Sequence, residues 1–312
     1  MRIDASVMEP KPPSEKGSAM KPRTAIRDPK AELKSKVFCI LGDERVYRSK
    51  SPAMFNAVLK QSGIDGMYVP FMVEPGRIGE AVRSLKILNI AGANITLPYK
   101  EAVLPHINVL SEGANIIGAI NTVARDGEVL KGYNTNAIGF MDALEEAGFE
   151  TTGKTALVFG NGGAARAVVF MLNWLRAGTI YVASRSVEKA MRVVTRIRGE
   201  AISLDSLAEH ALQAHIVVNA TSVSGTAEAT ELALKVQKLQ LPDCELVIDL
   251  NYGRRQNFWE DMAIAKDIPF MDGLSILANQ ARRSFALWTG VDVDPKEFLK
   301  ALDAAAPGNG GS

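Results

Sequence analysis

Four short stretches of this 312-residue chain hold side chains that could do chemistry. RSKSPAMFN sets Ser49 and Ser51 between an apolar run and a helical one. Their hydroxyls, with the N–H groups of the following helix, could hold a carboxylate; Ser51, directly before Pro52, is equally suited to cap that helix. GANITLPYKE places Asn94, Thr96 and Lys100 beyond a strand end, and GAINTV brings Asn121 and Thr122. KGYNTNAIGF then sets Asn134, Thr135 and Asn136 between glycines, upstream of a helical stretch. Such residues build turns, but Asn136 stands apart, because an amide can hydrogen-bond and cannot take a proton.

A fifth stretch, TALVFGNGGAARAVVF, points to a cofactor. Gly160, Gly162 and Ala165 follow the G-x-G-x-x-A spacing between a strand and a helix, the setting dinucleotide binding requires. Gly160 permits the tight turn, Gly162 lets the backbone approach a pyrophosphate, and Ala165 allows helix and strand to pack closely. Asn161, Gly163 and Ala164 complete the loop, and the helix N-terminus offers free N–H groups to phosphates. The next strand ends in Ser184, Arg185 and Ser186, with Lys189 one turn on. No carboxylate stands there for the ribose hydroxyls, whereas Arg185 and Lys189 can pair with a 2′-phosphate, so the pattern favours NADP over NAD.

These residues need elements to position them. VFCILG, MYVPFMV and IAGANIT read as strands, separated by helical SPAMFNAVLKQSG and PGRIGEAVRSLKILN. That β-α-β-α-β order predicts a mostly parallel sheet flanked by helices. A second series begins near Lys154: TALVF, TIYVA, HIVVNA, ELVIDL and IPFMDG as strands, with helices over AARAVVFMLNWLRAG, ending at Gly178, and VEKAMRVVTRIR. SILANQARRSFALWTG is a helix long enough to cross back. The expected fold is therefore α/β with two domains. A substrate domain covers residues 35–135 and 275–304, a Rossmann-type dinucleotide domain covers 136–274, and the C-terminal helices return to the first across a ligand-binding cleft.

Composition narrows the function. With 47% hydrophobic and 23% charged residues the chain can build a proper core, and its net charge of +1 favours neither nucleic acid nor an anionic membrane. Cys39 and Cys244 form no framework or metal spacing, and Cys39 in VFCILG is expected to be a buried free thiol, which suits a reducing cytoplasm. The apolar runs are too short for a membrane span. Residues 1–34, rich in Pro, Lys and Glu, read as a disordered tail. His106, His210 and His215 lack metal-ligand spacing, so no metal is expected; Trp174, Trp259 and Trp288 read as packing residues, and Asp272 as a turn-former before the last helix.

SxSP, NxTxPxKE, GAxNT, GYNT, GxGGAARA, NATS and DGLxxLxxQAxxSFxxWTG, in this order over nearly all of residues 36–302, resemble the shikimate dehydrogenase family. Each motif alone is weak; the ordered set is specific. The resemblance implies that Ser49 and Ser51, with Tyr252, bind a substrate carboxylate, and that Asn94, Thr96, Asn121 and Gln280 hold ring hydroxyls. Lys100 matches the family's catalytic lysine, and Thr221 of NATS and Gly273 of DGL join the cofactor-binding residues. The family's lysine works beside an aspartate in NTDG: a hydride passes between nicotinamide and a ring carbon while the pair handles the hydroxyl proton. A lysine there can stabilise a developing alkoxide and exchange its proton.

This chain reads NTNA, with Asn136 at the aspartate position and Ala137 at the glycine. Arg48, Phe55, the segment 253–257 and SVSG at 222–225 also depart from the family pattern, which favours natural divergence over a single designed Asp→Asn change. The implied function is NADP-dependent hydride transfer at the ring carbonyl of 3-dehydroshikimate or a related cyclic acid such as the quinate type, with altered substrate or reduced turnover and with Lys100 acting alone as electrophile and proton donor. A non-catalytic binder of NADP and a cyclic acid is the alternative; Asn136 speaks for it and Lys100 against it. Folate-linked one-carbon dehydrogenation is disfavoured by SxSP and NxTxPxK. A homodimer is compatible with the sequence, but no residue marks an interface.

Overall fold

A computed structural model describes residues 35–209, 211–254 and 256–304. The expected N-terminal tail, the C-terminal APGNGGS, His210 and Arg255 lie outside them. The apolar run after Ser35 forms β1 (Lys36–Gly42), whose last five residues are buried. Beside it run β2 (Gly66–Met72) and β3 (Gly92–Ile95), both parallel to it. Helix α1 (Ser51–Gln61) and α2 (Ile78–Ile87) make the two crossovers. Three further strands, β4 (Val109–Leu110), β5 (Thr122–Asp126) and β6 (Val129–Tyr133), complete a six-stranded sheet of order β2-β1-β3-β5-β6-β4.

This sheet is less parallel than expected, because β5 runs antiparallel to both β3 and β6. Gly127 and Glu128 make the tight hairpin between β5 and β6, closed by the Asp126–Val129 pair; Gly127 takes the left-handed φ of 57° that such a turn needs. The hairpin brings Asn121 and Thr122 at its start back beside Tyr133 and Asn134 at its end. Two short helices follow from this layout: α3 (Glu112–Ile117) and, directly after β6, α4 (Thr135–Glu146).

The second sheet is wholly parallel. Its strands are β7 (Ala156–Phe159), β8 (Ile180–Ser184), β9 (Glu200–Ser203), β10 (Ile216–Asn219), β11 (Leu246–Asp249) and β12 (Phe270–Met271), in the spatial order β12-β11-β10-β7-β8-β9. Counting from β7, this is the 3-2-1-4-5-6 order of the dinucleotide-binding fold, with its switch point between β7 and β10. Helices α5 (Gly163–Trp174), α6 (Val187–Ile197), α7 (Leu204–Glu209), α8 (Thr230–Gln237) and α9 (Phe258–Ala265) cover its faces. Buried clusters on either side, one with Val158, Val168 and Val218 and the other with Phe159, Val217 and Trp259, form its core.

Helix α10 (Gly273–Thr289) and α11 (Pro295–Ala304) return to the first sheet. Trp288 on α10 donates its indole N–H to Val123 O (3.0 Å) and packs over the bare backbone of Gly92. Phe55, Tyr68, Phe285 and Phe298 close the same core, and Phe55 stacks on Tyr68 at 4.5 Å. On its way α10 crosses α4 closely enough that a Cβ on Gly139 would lie 2.6 Å from Gln280 N. A two-point ion pair between Arg283 and Asp142, both bonds 2.8 Å, fixes the crossing.

Two sequence-based expectations are corrected. Helix α5 ends at Trp174, four residues short of Gly178, because Arg176 turns left-handed (φ 58°) and the chain bends back onto Gly153. Trp174 is 38% exposed, stacked on Phe170 at that frayed end; Trp259 and Trp288 are the core residues expected. Cys39 is fully buried, and burial pushes its thiol up to about 12. Among the described residues no helix is long and apolar enough to cross a membrane, and no group of acidic, His and Cys side chains could hold a metal ion.

Candidate active site

The hub of the candidate site is Asn121, buried at the entry to β5. Its Oδ1 accepts the backbone N–H of Thr135 (2.7 Å) at the first turn of α4. Its Nδ2 lies within donating distance of Thr135 Oγ1 (2.9 Å), Asn136 Oδ1 (2.9 Å) and Gln280 Oε1 (3.0 Å). One amide therefore ties the hairpin to α4 and α10. Beneath it, Thr122, Thr135 and Ser284 share hydroxyl contacts of 2.8–3.1 Å. Asn94 on β3 donates to Asn121 O (3.1 Å) and accepts from the Tyr68 hydroxyl (2.7 Å), so the aromatic core fixes the amide network. Asn134 caps α4 by accepting from Ala137 N (3.1 Å) and holds Ala119 O with its other end (2.9 Å).

Lys100 lies in the turn after β3, its backbone held beside this hub. Thr96 N donates to Leu41 O (2.9 Å), Tyr99 N to Thr96 O (2.9 Å), and Ile120 N to Lys100 O (2.9 Å), which pins Lys100 one residue from Asn121. The lysine sits deep in the molecule, is half-buried, and has no carboxylate in ion-pair range among the described residues. Burial drives its ammonium down to about 8 from an ordinary 10.5. Its neighbour Glu101 pairs with Arg166 of α5 (2.6 Å). A Cβ on Gly163, the first residue of α5, would touch both the Ala119 and Lys100 side chains. The stem of the lysine thus lies near the start of the glycine-loop helix.

Ser49 and Ser51 lie at the other side of β1. Ser51 is the first residue of α1, not its cap: Lys50 holds the cap position with no side-chain bond, and Ser49 Oγ accepts from Ser51 N at 3.2 Å. Lys50 itself is a residue sequence reasoning missed. Its Nζ lies 5.7 Å from the Tyr252 ring centroid and close to Gly253. Lys50, between the two serines, therefore meets Tyr252, and burial raises the Tyr252 phenol above its usual range. Asp272 caps α10 by accepting from Leu274 N (3.0 Å) as expected; burial raises its carboxyl, partly offset by that bond and by Lys50.

At the switch point the glycine loop has the expected geometry. Gly160 takes φ 120°, and a Cβ there would lie 2.8 Å from Ala220 O. A Cβ on Gly162 would meet nothing within 4 Å, so the backbone faces open space at the uncapped N-terminus of α5. Ala164 is half-buried and Ala165 fully buried. Asn161 donates to Ser184 Oγ (2.5 Å), linking the loop to the end of β8. Beyond it Arg185 and Lys189 are exposed, while Ser186 caps α6 and donates to Glu188 (2.6 Å).

Thr221 donates to Asn219 Oδ1 (2.7 Å), and Gly273 lies against Leu250 O where no side chain fits. Both loops hang on Asp249, a fully buried carboxylate that the sequence did not single out. It accepts from Asn219, Asn251 and Asn257 at 2.8–3.0 Å. His215 Nδ1 accepts from Thr155 N (3.1 Å), a structural role.

Three family models match the chain in order: shikimate dehydrogenase substrate binding domain over residues 40–123, shikimate/quinate 5-dehydrogenase over 143–255, and shikimate 5′-dehydrogenase C-terminal domain over 273–302. The shikimate dehydrogenase (NADP(+)) of Nitrosopumilus maritimus is 31% identical over 272 residues, covering 86% of this chain and 98% of that protein. The chain belongs to the shikimate dehydrogenase family. The enzyme of the same name from Desulforamulus reducens is 37% identical over 254 residues, 78% of this chain and 87% of its own. Among solved structures, shikimate 5-dehydrogenase from Thermus thermophilus in complex with NADP(H) and shikimate superposes with a TM-score of 0.76 at 32% identity, over 86% of this chain and 99% of that one. Family membership thus spans both sheets and the returning helices described above.

Proposed function

We propose that the chain is an NADP-dependent shikimate dehydrogenase, interconverting 3-dehydroshikimate and shikimate or a closely related cyclic hydroxy acid. The observation that carries this reading is the placement of Lys100, whose backbone carbonyl is held by Ile120 N beside the amide hub of Asn121 and whose stem lies near the first turn of α5. Residues 35–135 with 275–304 serve the substrate, and 136–274 serve the cofactor. The residues fit NADP: open space over Gly162 at a helix N-terminus suits a pyrophosphate, and exposed Arg185 and Lys189 suit a 2′-phosphate. Asn161, Gly163, Ala164, Ser184, Ser186, Thr221 and Gly273 shape that cradle. Bound NADPH supplies the hydride.

The chain's own residues do the rest. Ser49 and Ser51, with Tyr252 and the charge of Lys50, hold the substrate carboxylate. Asn94, Thr96, Asn121 and Gln280 orient the ring. Lys100, as an ammonium, donates to the carbonyl oxygen and delivers its proton as charge develops there. Asn136 stands where the family carries its catalytic aspartate, so Lys100 works without a carboxylate to keep it charged. Its lowered proton affinity makes it the stronger acid. A free thiol at Cys39 fits a cytoplasmic setting.

Steady-state assays with shikimate, quinate and aminated analogues, each with NADP and NAD, test the reading. The expected outcome is turnover of shikimate with NADP, and faster turnover in Asn136→Asp. Tight binding of NADP and shikimate with no turnover in either protein would instead make the chain a non-catalytic binder.

A further inference from the structure

Arg166 stands where helix electrostatics alone would not put it. It is the fourth residue of α5, in the turn at the positive end of the helix dipole, where anions are favoured and cations are not. Its side chain is only 14% exposed, and its Nε is sealed from solvent with no hydrogen-bond partner among the described residues. The groups that hold this charge belong to the first sheet's half of the chain. Nη2 is 2.6 Å from Glu101 Oε1 and 3.5 Å from Gly118 O. Glu101 follows Lys100, and Gly118 stands two residues before Ile120, whose N–H donates to Lys100 O (2.9 Å). One nitrogen of α5 therefore touches both sides of the bond that ties the Lys100 turn to the chain entering Asn121. Arg196 of α6 makes a second join nearby, donating to Asn115 O and Ile116 O (2.7 Å each), but its bonds stop at α3.

We propose that Arg166 is a positioning residue for hydride transfer, acting through Glu101 to hold the turn that carries Lys100 in register with the helix that follows the glycine loop. The inference rests on the proposed reading of Lys100 as the acid and of the α5 N-terminus as the seat of the pyrophosphate. On that reading the proton donor and the hydride donor are carried by different elements, and the rate depends on their relative placement to within about an ångström. An ion pair to a half-exposed carboxylate adds little to stability. Its placement gives it another use, because it joins the two elements beside the reacting groups. Arg196 joins the same halves of the chain without touching the Lys100 turn, so it separates positioning of that turn from cohesion of the halves.

Single-turnover reduction of 3-dehydroshikimate by saturating NADPH tests this, with Kd for NADP and for shikimate titrated separately on the full chain. Glu101→Ala and, independently, Arg166→Met should each slow the transfer step about tenfold or more and leave each Kd within about twofold. The double variant should be no slower than the slower single, because both changes remove one link. Arg166→Lys, which keeps a charge for Glu101, should recover part of the rate. Arg196→Met should slow transfer by less than about twofold, since it cuts only the join at α3. Transfer at the unmodified rate in both single variants, losses that multiply in the double variant, or an equal loss in Arg196→Met would overturn the inference and leave the functional reading intact. Absence of transfer in the unmodified chain would overturn the functional reading, and the inference with it.

Discussion

Lys100 is held at a cost that its chemistry explains. A lysine whose proton affinity falls from 10.5 to about 8 on folding is a buried charge without a partner. The depressed value means that the folded state binds fewer protons than the unfolded state between pH 8 and 10.5. The lysine's penalty is therefore fully present below about pH 8 and relieved as pH rises toward 10.5. Lys100→Met should raise stability at pH 7 by up to about 3 kcal/mol, a gain that shrinks across that window in denaturant titrations at several pH values. The same variant should lower kcat by about 100-fold or more, the usual worth of a positioned general acid. In the unmodified enzyme, kcat/KM for ketone reduction should fall as pH rises through about 8, because the ammonium is the donor; alcohol oxidation should rise toward the same pH. A reduction profile flat from pH 6 to 9 would remove Lys100 from the proton path.

At the scale of elements, the α4–α10 crossing sets the site. Gly139 admits the α10 backbone at Gln280, and Asn136 lies one turn before it on α4. Gly139→Ala would push a methyl against main-chain atoms that cannot yield cheaply. It should cost about 1–3 kcal/mol and raise KM by moving Gln280. Two ion pairs of similar length should differ sharply. Arg283→Ala strips the buried Asp142 of two charged bonds and should cost about 3 kcal/mol. Glu101→Gln, at a carboxylate 55% exposed, should cost under about 1 kcal/mol. Thermal or denaturant melts of the three variants rank them directly.

Local signals made part of this legible beforehand. The strand–glycine–helix context of Gly160 to Ala165, the long helix read over 275–290 and the parallel strands of the second sheet are written in contiguous residues. The hairpin turn at Gly127 and Glu128 is also written in contiguous residues, but the α/β alternation masked it and with it the antiparallel half of the first sheet. The hub at Asn121 depends on a bond to Gln280, 159 residues away, and no periodicity encodes such a pairing. Nothing in the sequence sets Lys50 apart; only the fold brings Tyr252 to it. Asp249 looked like a strand end, and only the fold gathers three asparagines around it.

For the whole molecule, the proposed function has two sheets supply one site: the first would hold the ring and the second the dinucleotide, with α10 crossing α4 on its return to the first sheet. Cofactor choice belongs to this scale, because the proposed role puts Arg185 and Lys189 at the far end of the cofactor from Lys100. Arg185→Ser should raise KM for NADP by about tenfold or more, the worth of a charged phosphate contact, and leave KM for NAD and kcat with either cofactor nearly unchanged. The central claim, hydride transfer to a cyclic ketone with Lys100 as acid, is tested most directly by single-turnover incubation with 3-dehydroshikimate and NADPH deuterated at the transferring position. Mass spectrometry should find one deuterium on the ring carbon of the product per active site, and transfer slowed about 100-fold or more in Lys100→Met. Ketone recovered unlabelled after hours with both ligands bound, or transfer equally fast in the variant, would contradict the account.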